Sequence, residues 1–184
     1  MNNINDYIMV HNAIPRNKCD WILSNINNEQ WEPHTWYNPE NNQQTTRNKE
    51  ELDVLYSKNK NVSIEVENYI KQSLDAYKQK YNPLAFVTRF SIVRFNKYSI
   101  NTNMAPHADH IHTVFDGKER GIPVISLVGV LNEEYYGGEF VFNNNYEVKL
   151  KTGDILMFPS NFMYAHEVKG VKKGTRVSFV SWAY

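Results

Sequence analysis

The sequence predicts a mostly β fold with helices confined to its N-terminal part. The expected architecture is a double-stranded β-helix (jelly roll), with two helices packed on the outer face of one sheet. Three observations predict it. Before residue 85, apolar residues recur twice at spacings of three and four, the period of a helix buried along one side. From Phe86 onward they fall into about seven or eight short segments separated by Gly, Asn and Pro, as in double-sheet folds. Pro123 to Leu131 is almost continuously apolar, the pattern of a strand covered on both faces. The 184 residues read as a single domain, with 1–85 as helical support and 86–184 as the jelly-roll core. There is no internal repeat and no linker.

Tyr7 to Val10 reads as a short strand. Pro15 then opens a helix to about Asn27, with Cys19, Ile22, Leu23 and Ile26 on one face. Cys19 on that face reads as a small core residue, since nothing nearby in sequence would lower its pKa. Trp31 to Tyr37 is aromatic-rich and reads as a strand containing His34. Asn38 to Glu50 is polar and aperiodic, either a solvated loop or a lid that orders over substrate. Val62 to Tyr81 is the clearest helix, with Val66, Tyr69, Ile70, Leu74, Tyr77 and Tyr81 in one stripe and Asn82-Pro83 ending it.

Phe86 to Phe95 is β-branched and aromatic, a long strand by pattern. Lys97 to Asn101 follows, then a strand carrying His107. Val114 to Gly121 forms a loop beside it, a second candidate for contact with substrate. The paired glycines Gly137-Gly138 require positive φ or a bulge, and Asn143 to Asn145 makes a tight turn. Thr152-Gly153-Asp154 turns into Ile155 to Phe158. A last hairpin is expected to run from His166-Glu167-Val168 through Lys172-Lys173-Gly174 to Arg176 and Trp182.

Composition narrows the function. Hydrophobic residues make up 41% and charged residues 22%, ordinary values for a soluble protein. Twenty basic and twenty acidic residues cancel, so no global field favours nucleic acid or an anionic membrane. The single cysteine excludes an intramolecular disulfide and fits a reducing, cytoplasmic compartment. The N-terminal Met1 to Asp6 lacks the basic start and apolar run of a signal peptide, and no stretch reaches the length of a membrane span.

The residues that carry chemistry lie near the middle and end. On an extended strand, positions i and i+2 share a face, so His107 and Asp109 offer an imidazole and a carboxylate to one point. His166, on a later strand, supplies a third ligand. Two histidines and a carboxylate leave open positions on a metal, the arrangement of non-haem Fe(II) oxygenases. Arg176 and Ser178 share a strand face, and a guanidinium beside a hydroxyl suits a carboxylate ligand. The alternative for Arg176 is a structural ion pair with Asp154 or Glu139.

His107-x-Asp109, Gly137-Gly138-Glu139, Gly153-Asp154 before an apolar strand, His166 and Arg176-x-Ser178 occur in that order. The ordered set resembles the 2-oxoglutarate and Fe(II)-dependent dioxygenases, in their prolyl-4-hydroxylase-like branch, from about Val87 to the C-terminus. The resemblance implies Fe(II) on His107, Asp109 and His166, with 2-oxoglutarate and O2 as co-substrates and ascorbate as a further candidate. It implies that Arg176 pairs with the distal carboxylate of 2-oxoglutarate, with Ser178 and Tyr98 as hydroxyl partners. Tyr98 stands nine residues before His107, the family's spacing, and its alternative is a packed strand-end tyrosine. Ser126 occupies a position where the family places a small hydroxyl residue near 2-oxoglutarate. Asn101 stands where the family has Gly, and Asn tolerates the left-handed backbone that Gly would adopt there.

The implied activity is hydroxylation of an unactivated C–H. Related halogenases lack the carboxylate that Asp109 supplies. Nucleic-acid demethylases carry a second Arg where this chain has Trp182, so no nucleic-acid substrate is expected. A prolyl residue in a protein or peptide is the leading substrate by resemblance, with a free amino acid or other small molecule as the alternative. Two other classes compete. A zinc hydrolase needs a general base and gives Arg176 no task. A non-catalytic metal-binding jelly-roll ligand module explains the fold but not the ligand spacing. His110 and His112 are rival ligands, but the spacing to Arg176 favours His166. His11 and His34 have no visible partner in the sequence.

Overall fold

The computed structural model describes residues 3–38, 43–45, 51–81, 87, 89–109, 121–143 and 145–184. In chain order the elements are β1 (Met9–Asn12), α1 (Arg16–Ile26), β2 (Glu32–Pro33), β3 (Trp36–Asn38), β4 (Gln43–Thr45), β5 (Asp53–Leu55), α2 (Lys60–Tyr81), β6 (Arg94–Tyr98), β7 (Met104–His107) and β8 (Ile125–Val130). They continue with β9 (Tyr136–Gly137), β10 (Phe140–Phe142), β11 (Tyr146–Val148), β12 (Asp154–Pro159), β13 (His166–Val168), β14 (Val171–Lys173) and β15 (Arg176–Ala183).

Two sheets carry the fold. The major one has seven strands in the order β1-β12-β8-β15-β6-β5-β2, and the minor one has four in the order β11-β10-β13-β7. This is the expected jelly roll, with both helices on the outer face of the major sheet. The N-terminal part does more than support it, since β1, β2 and β5 are strands of the major sheet itself.

Strand periodicity divides the interior in two. Along β15, Phe179 and Ala183 join Cys19, Ile22, Val66 and Ile70 in a core between sheet and helices. Val180 turns the other way, into a core between the sheets with Phe140, Phe142, Phe158 and Val168. Arg176 and Ser178, of the same parity as Val180, face that inter-sheet space. The buried run of β8 splits alike, with Leu127 toward the helices and Val128 between the sheets. Gly129 interrupts the run because a Cβ there would lie 2.1 Å from the Phe179 ring.

Several elements differ from expectation, each for a local reason. The expected strand at Tyr7 to Val10 starts at Met9, because Asn3 caps a turn of 3-10 helix over Ile4–Tyr7. Trp31 to Tyr37 breaks into β2 and β3, with Pro33, which has no N–H, at the sheet edge. Within Asn38 to Glu50, β4 pairs antiparallel with β3, Trp36 opposite Thr45, while 39–42 and 46–50 lie outside the described residues. The strand expected from Phe86 begins only at Arg94. Before it, Phe90 forms an isolated antiparallel bridge with Ala183, and the Ser91 N–H donates to the Trp182 carbonyl (2.8 Å). The Trp182 N–H, however, goes to the Ser91 hydroxyl (3.1 Å), and the register has shifted by one residue where β6 starts. The last hairpin does not form. β13 lies in the minor sheet between β10 and β7, and β15 lies in the major sheet between β8 and β6. The loop expected over Val114 to Gly121, apart from Gly121 itself, lies outside the described residues. So do the helix stop at Asn82-Pro83 and the rival ligands His110 and His112.

Other local expectations match. Arg16–Ile26 and Lys60–Tyr81 are helices, and Gly137 and Gly138 take φ of 81° and 69°. Asn101 is left-handed at φ 68° and Asn143 at φ 48°. Among the described residues no helix is long and apolar enough to cross a membrane.

Cys19 is fully buried, and burial pushes its thiol up to about 11. The native protein at pH 8 should therefore react with iodoacetamide about a hundredfold or more slowly than the unfolded chain, whose thiol ionises near its ordinary pKa of ~8.5. Mass spectrometry of timed samples measures both rates. Equal rates would place Cys19 outside the core.

Candidate active site

The first cluster is built where β13 of the minor sheet pairs with the edge strand β7. β13 pairs with β7 so that His166 and His107 stand directly opposite each other, with ring centroids 4.4 Å apart. The strand ends at His107, and Asp109 lies two residues past it, yet its carboxylate returns to the same point. His107 Nε2 is 3.6 Å from Asp109 Oδ1, and His166 Nε2 is 3.9 Å from Asp109 Oδ2. The three ligand atoms all lie within 4.8 Å of one another.

Both imidazoles turn Nε2 toward this point. His107 Nδ1 is 2.8 Å from the Ala105 carbonyl and His166 Nδ1 is 3.0 Å from the Tyr164 carbonyl. A carbonyl only accepts, so each Nδ1 carries a proton and Nε2 is the nitrogen turned toward Asp109. Burial pushes His166 down to about 4, so it is unprotonated at neutral pH. For Asp109, burial pushes the carboxyl up. The two histidines and the Ser126 hydroxyl outweigh that and hold it well below the usual carboxylate range. The result is one anion flanked by two imidazole Nε2 atoms in a largely buried site.

Apolar rings seal this cluster. Phe140 stacks on His166 at 5.0 Å and Phe158 meets it edge-on at 4.9 Å. On the other side Trp36 packs edge-on against His107 at 5.6 Å, while its indole N–H donates to Glu51 Oε2 at 2.6 Å. His34, for which the sequence shows no partner, is buried against Trp36, with Nδ1 3.6 Å from the Glu51 carboxylate. His11 lies elsewhere, with Nδ1 3.0 Å from the Ser73 hydroxyl.

The second cluster sits on the major sheet, facing the same inter-sheet space. Arg176 is 1% exposed and stands opposite Tyr98 across the β15–β6 pairing. Its guanidinium lies 5.0 Å from the Tyr98 ring, and Nη1 donates to Ser178 Oγ at 2.9 Å. Its Nε and Nη2 are buried with no hydrogen-bond partner among the described residues. No carboxylate lies within ion-pairing distance of it among those residues. Asp154, one expected alternative, instead accepts from Asn12 Nδ2 and the Lys151 N–H. Burial pushes the Tyr98 phenol up, and the neighbouring Arg176 guanidinium offsets part of the rise.

Arg176, Tyr98 and Ser178 thus come together as expected. Ser126 does not join them. It stands opposite Trp182, farther along β15, and donates to Asp109 Oδ2 at 2.6 Å. Sequence reasoning missed Trp36, Glu51, Phe140, Phe158 and Ser160. Aromatic residues are common throughout this chain, and nothing in their spacing marks these as neighbours of a ligand.

The residues fit a divalent metal and an acid beside it. Two histidines and one carboxylate on one side suit Fe(II) with open positions. A buried cation with two unpartnered N–H groups along one edge suits a carboxylate taken in a bidentate fork.

Comparison with known proteins agrees. The chain is 37% identical over 95 residues to a PKHD-type hydroxylase of Aliarcobacter butzleri, and 34% over 94 residues to one of Stenotrophomonas maltophilia. Each match covers 48% of this chain and 41% of the relative, so the chain spans well under two thirds of their length. The fold is shared with a viral collagen prolyl hydroxylase of Paramecium Bursaria Chlorella virus-1, solved as its 2OG complex, at 17% identity and a TM-score of 0.67 over 98% of both chains. It is shared also with a prolyl hydroxylase of Trichoplax adhaerens, solved with a peptide fragment of hypoxia inducible factor, at 15% identity and a TM-score of 0.72. That match covers 96% of this chain and 83% of the other. The family model of the 2OG-Fe(II) oxygenase superfamily matches residues 93–184. That is half of the chain, it holds both clusters entire, and the chain belongs to this superfamily.

Proposed function

We propose that this protein is an Fe(II)- and 2-oxoglutarate-dependent hydroxylase of an unactivated C–H, with a prolyl residue of a protein or peptide as substrate. One observation carries the reading: a three-ligand metal cluster and a buried arginine with an unpartnered edge face the same inter-sheet space. The metal supports many chemistries, but the arginine requires a second, acidic component. The prolyl assignment draws on the hydroxylases that share the family and the fold. The chain acts in this reading as one unit, and its buried lone cysteine suits a reducing, cytoplasmic setting.

His107, His166 and Asp109 would hold the iron, the histidines through Nε2 and Asp109 as the anion that offsets the metal's charge. Arg176 would hold the distal carboxylate of 2-oxoglutarate through Nε and Nη2. These form one edge of the guanidinium and point two N–H bonds in parallel. Ser178 occupies Nη1 and so leaves that edge free, while the Tyr98 ring lies against the guanidinium and fixes it. Bound together, iron and 2-oxoglutarate supply the oxidation: one atom of O2 enters succinate as carbon dioxide leaves, and the other enters the C–H bond. The protein's part is to bind, orient and exclude water, and Phe140, Phe158 and Trp36 provide the dry wall.

Anaerobic loading with Fe(II) and 2-oxoglutarate, followed by oxygen and a peptide library or a set of free amino acids, tests this. The expected result is succinate formed together with a prolyl peptide that has gained one oxygen atom. Oxidation of a free amino acid instead would correct the substrate. No turnover of 2-oxoglutarate with any substrate would leave a ligand-binding module.

A further inference from the structure

Two buried serines meet Asp109, and the direction of their hydrogen bonds can be worked out. Ser126 is 1% exposed and Ser160 is 5% exposed. Ser126 Oγ lies 2.6 Å from Asp109 Oδ2, and an ionised carboxylate only accepts, so the Ser126 proton is committed there. Ser126 Oγ also lies 2.5 Å from Ser160 Oγ. With its own proton spent, Ser126 must accept at that contact, and Ser160 donates. The three groups form one directed series, Ser160 to Ser126 to Asp109, in which each bond polarises the next.

Their places in the fold are unequal. Asp109 sits past the end of β7, on irregular backbone. Ser126 sits inside β8, which is hydrogen-bonded on both sides, to β12 and to β15. Ser160 follows β12 directly and is tied by its N–H to the Val124 carbonyl at 3.0 Å. The serines are therefore the rigid members, and the carboxylate is the member to be placed.

We infer that Ser126, backed by Ser160, is a positioning residue that keeps Asp109 a one-oxygen ligand. The inference rests on the reading of His107, Asp109 and His166 as a metal site. In a six-coordinate ion, two imidazoles and one carboxylate oxygen fill three positions, a co-substrate chelating through two atoms fills two more, and one stays open. A carboxylate that turned to bind through both oxygens would take that last position. Oδ2 can turn only by giving up a charge-assisted hydrogen bond, while Oδ1, 3.6 Å from His107 Nε2, carries no such bond to Ser126. The series thus protects the open position, a task distinct from holding 2-oxoglutarate.

The test titrates the apoprotein with Co(II) alone, reading affinity and the visible ligand-field spectrum, which responds to coordination number. Ser126→Ala is expected to bind Co(II) about 10–100-fold more weakly, the usual effect of removing a partner behind a metal ligand. Its spectrum should differ from that of wild type. Ser126→Thr keeps the hydroxyl and should restore both. Ser160→Ala should show the same changes to a smaller degree. Ser91→Ala removes a buried serine pair on the other side of β15 and should leave Co(II) binding untouched, which separates this role from general loosening of the sheet. Thermal unfolding of the apo forms identifies the folded variants, and Ser160→Ala carries the test if Ser126→Ala does not fold. Wild-type affinity and spectrum in the folded variant would overturn the inference. If wild type itself binds no Co(II), the metal-site reading falls and this inference with it.

Discussion

Asp109→Ala is expected to lose Fe(II) binding while keeping its fold. The carboxylate is the sole anion of the three-ligand cluster, and without it two imidazoles face a dication with no anion to offset its charge. The loss should exceed the ~10–100-fold that follows removal of a partner behind a ligand, since a ligand itself is gone. The fold should survive because Asp109 lies outside the strands and no ladder hydrogen bond depends on its side chain. Anaerobic Fe(II) titration, with circular dichroism as the check on folding, makes the measurement. His107→Ala should behave alike, for its Nε2 faces the same point. If both variants bind Fe(II) as tightly as wild type, these residues are not the metal site.

Arg176→Met should show the reverse pattern, with normal Fe(II) titration and weakened 2-oxoglutarate. A hydrogen bond to a charged group contributes ~1.5–3 kcal/mol, and ~1.4 kcal/mol is a factor of ten in affinity. The expected loss is therefore about ten- to a hundredfold, and more if both Nε and Nη2 engage the acid. Methionine fills much of the arginine's volume without its charge, so the inter-sheet core should stay packed. Calorimetry with metal present compares the two proteins. A zinc hydrolase or an inert jelly roll has no 2-oxoglutarate affinity to lose, and equal affinity in wild type and variant would remove Arg176 from the site. The pair of experiments separates metal from acid, because each variant should spare what the other destroys.

The sequence by itself determined whatever depends on local periodicity and on residues close along the chain. Helical stripes marked Arg16–Ile26 and Lys60–Tyr81 because one face of each had to meet a sheet. Parity along a strand put Arg176 and Ser178 on one face, and the i, i+2 relation brought His107 and Asp109 to one point even though the strand stops between them. The paired glycines pointed to positive φ or a bulge at Gly137-Gly138, and the resemblance pointed to a left-handed backbone at Asn101; all three take positive φ. His166 was legible only through the ordered set of motifs, since nothing local ties it to His107.

Tertiary structure alone decided which sheet each strand joined and what stands behind each ligand. His166-Glu167-Val168 and Arg176 to Ala183 are near in sequence, yet they belong to different sheets, and that separation sets the metal cluster and the guanidinium on facing walls. The resemblance placed the Ser126 hydroxyl near the co-substrate, and the meeting of β8 with the residues after β7 brings it instead within 2.6 Å of Asp109 Oδ2. Trp36 reaches His107, and donates its indole N–H to Glu51, from a segment whose pattern read only as an aromatic-rich strand. The physical reason is the same in each case. Periodicity records which face of an element is buried, whereas a contact between elements far apart in sequence depends on how those faces are stacked, and no local pattern encodes that.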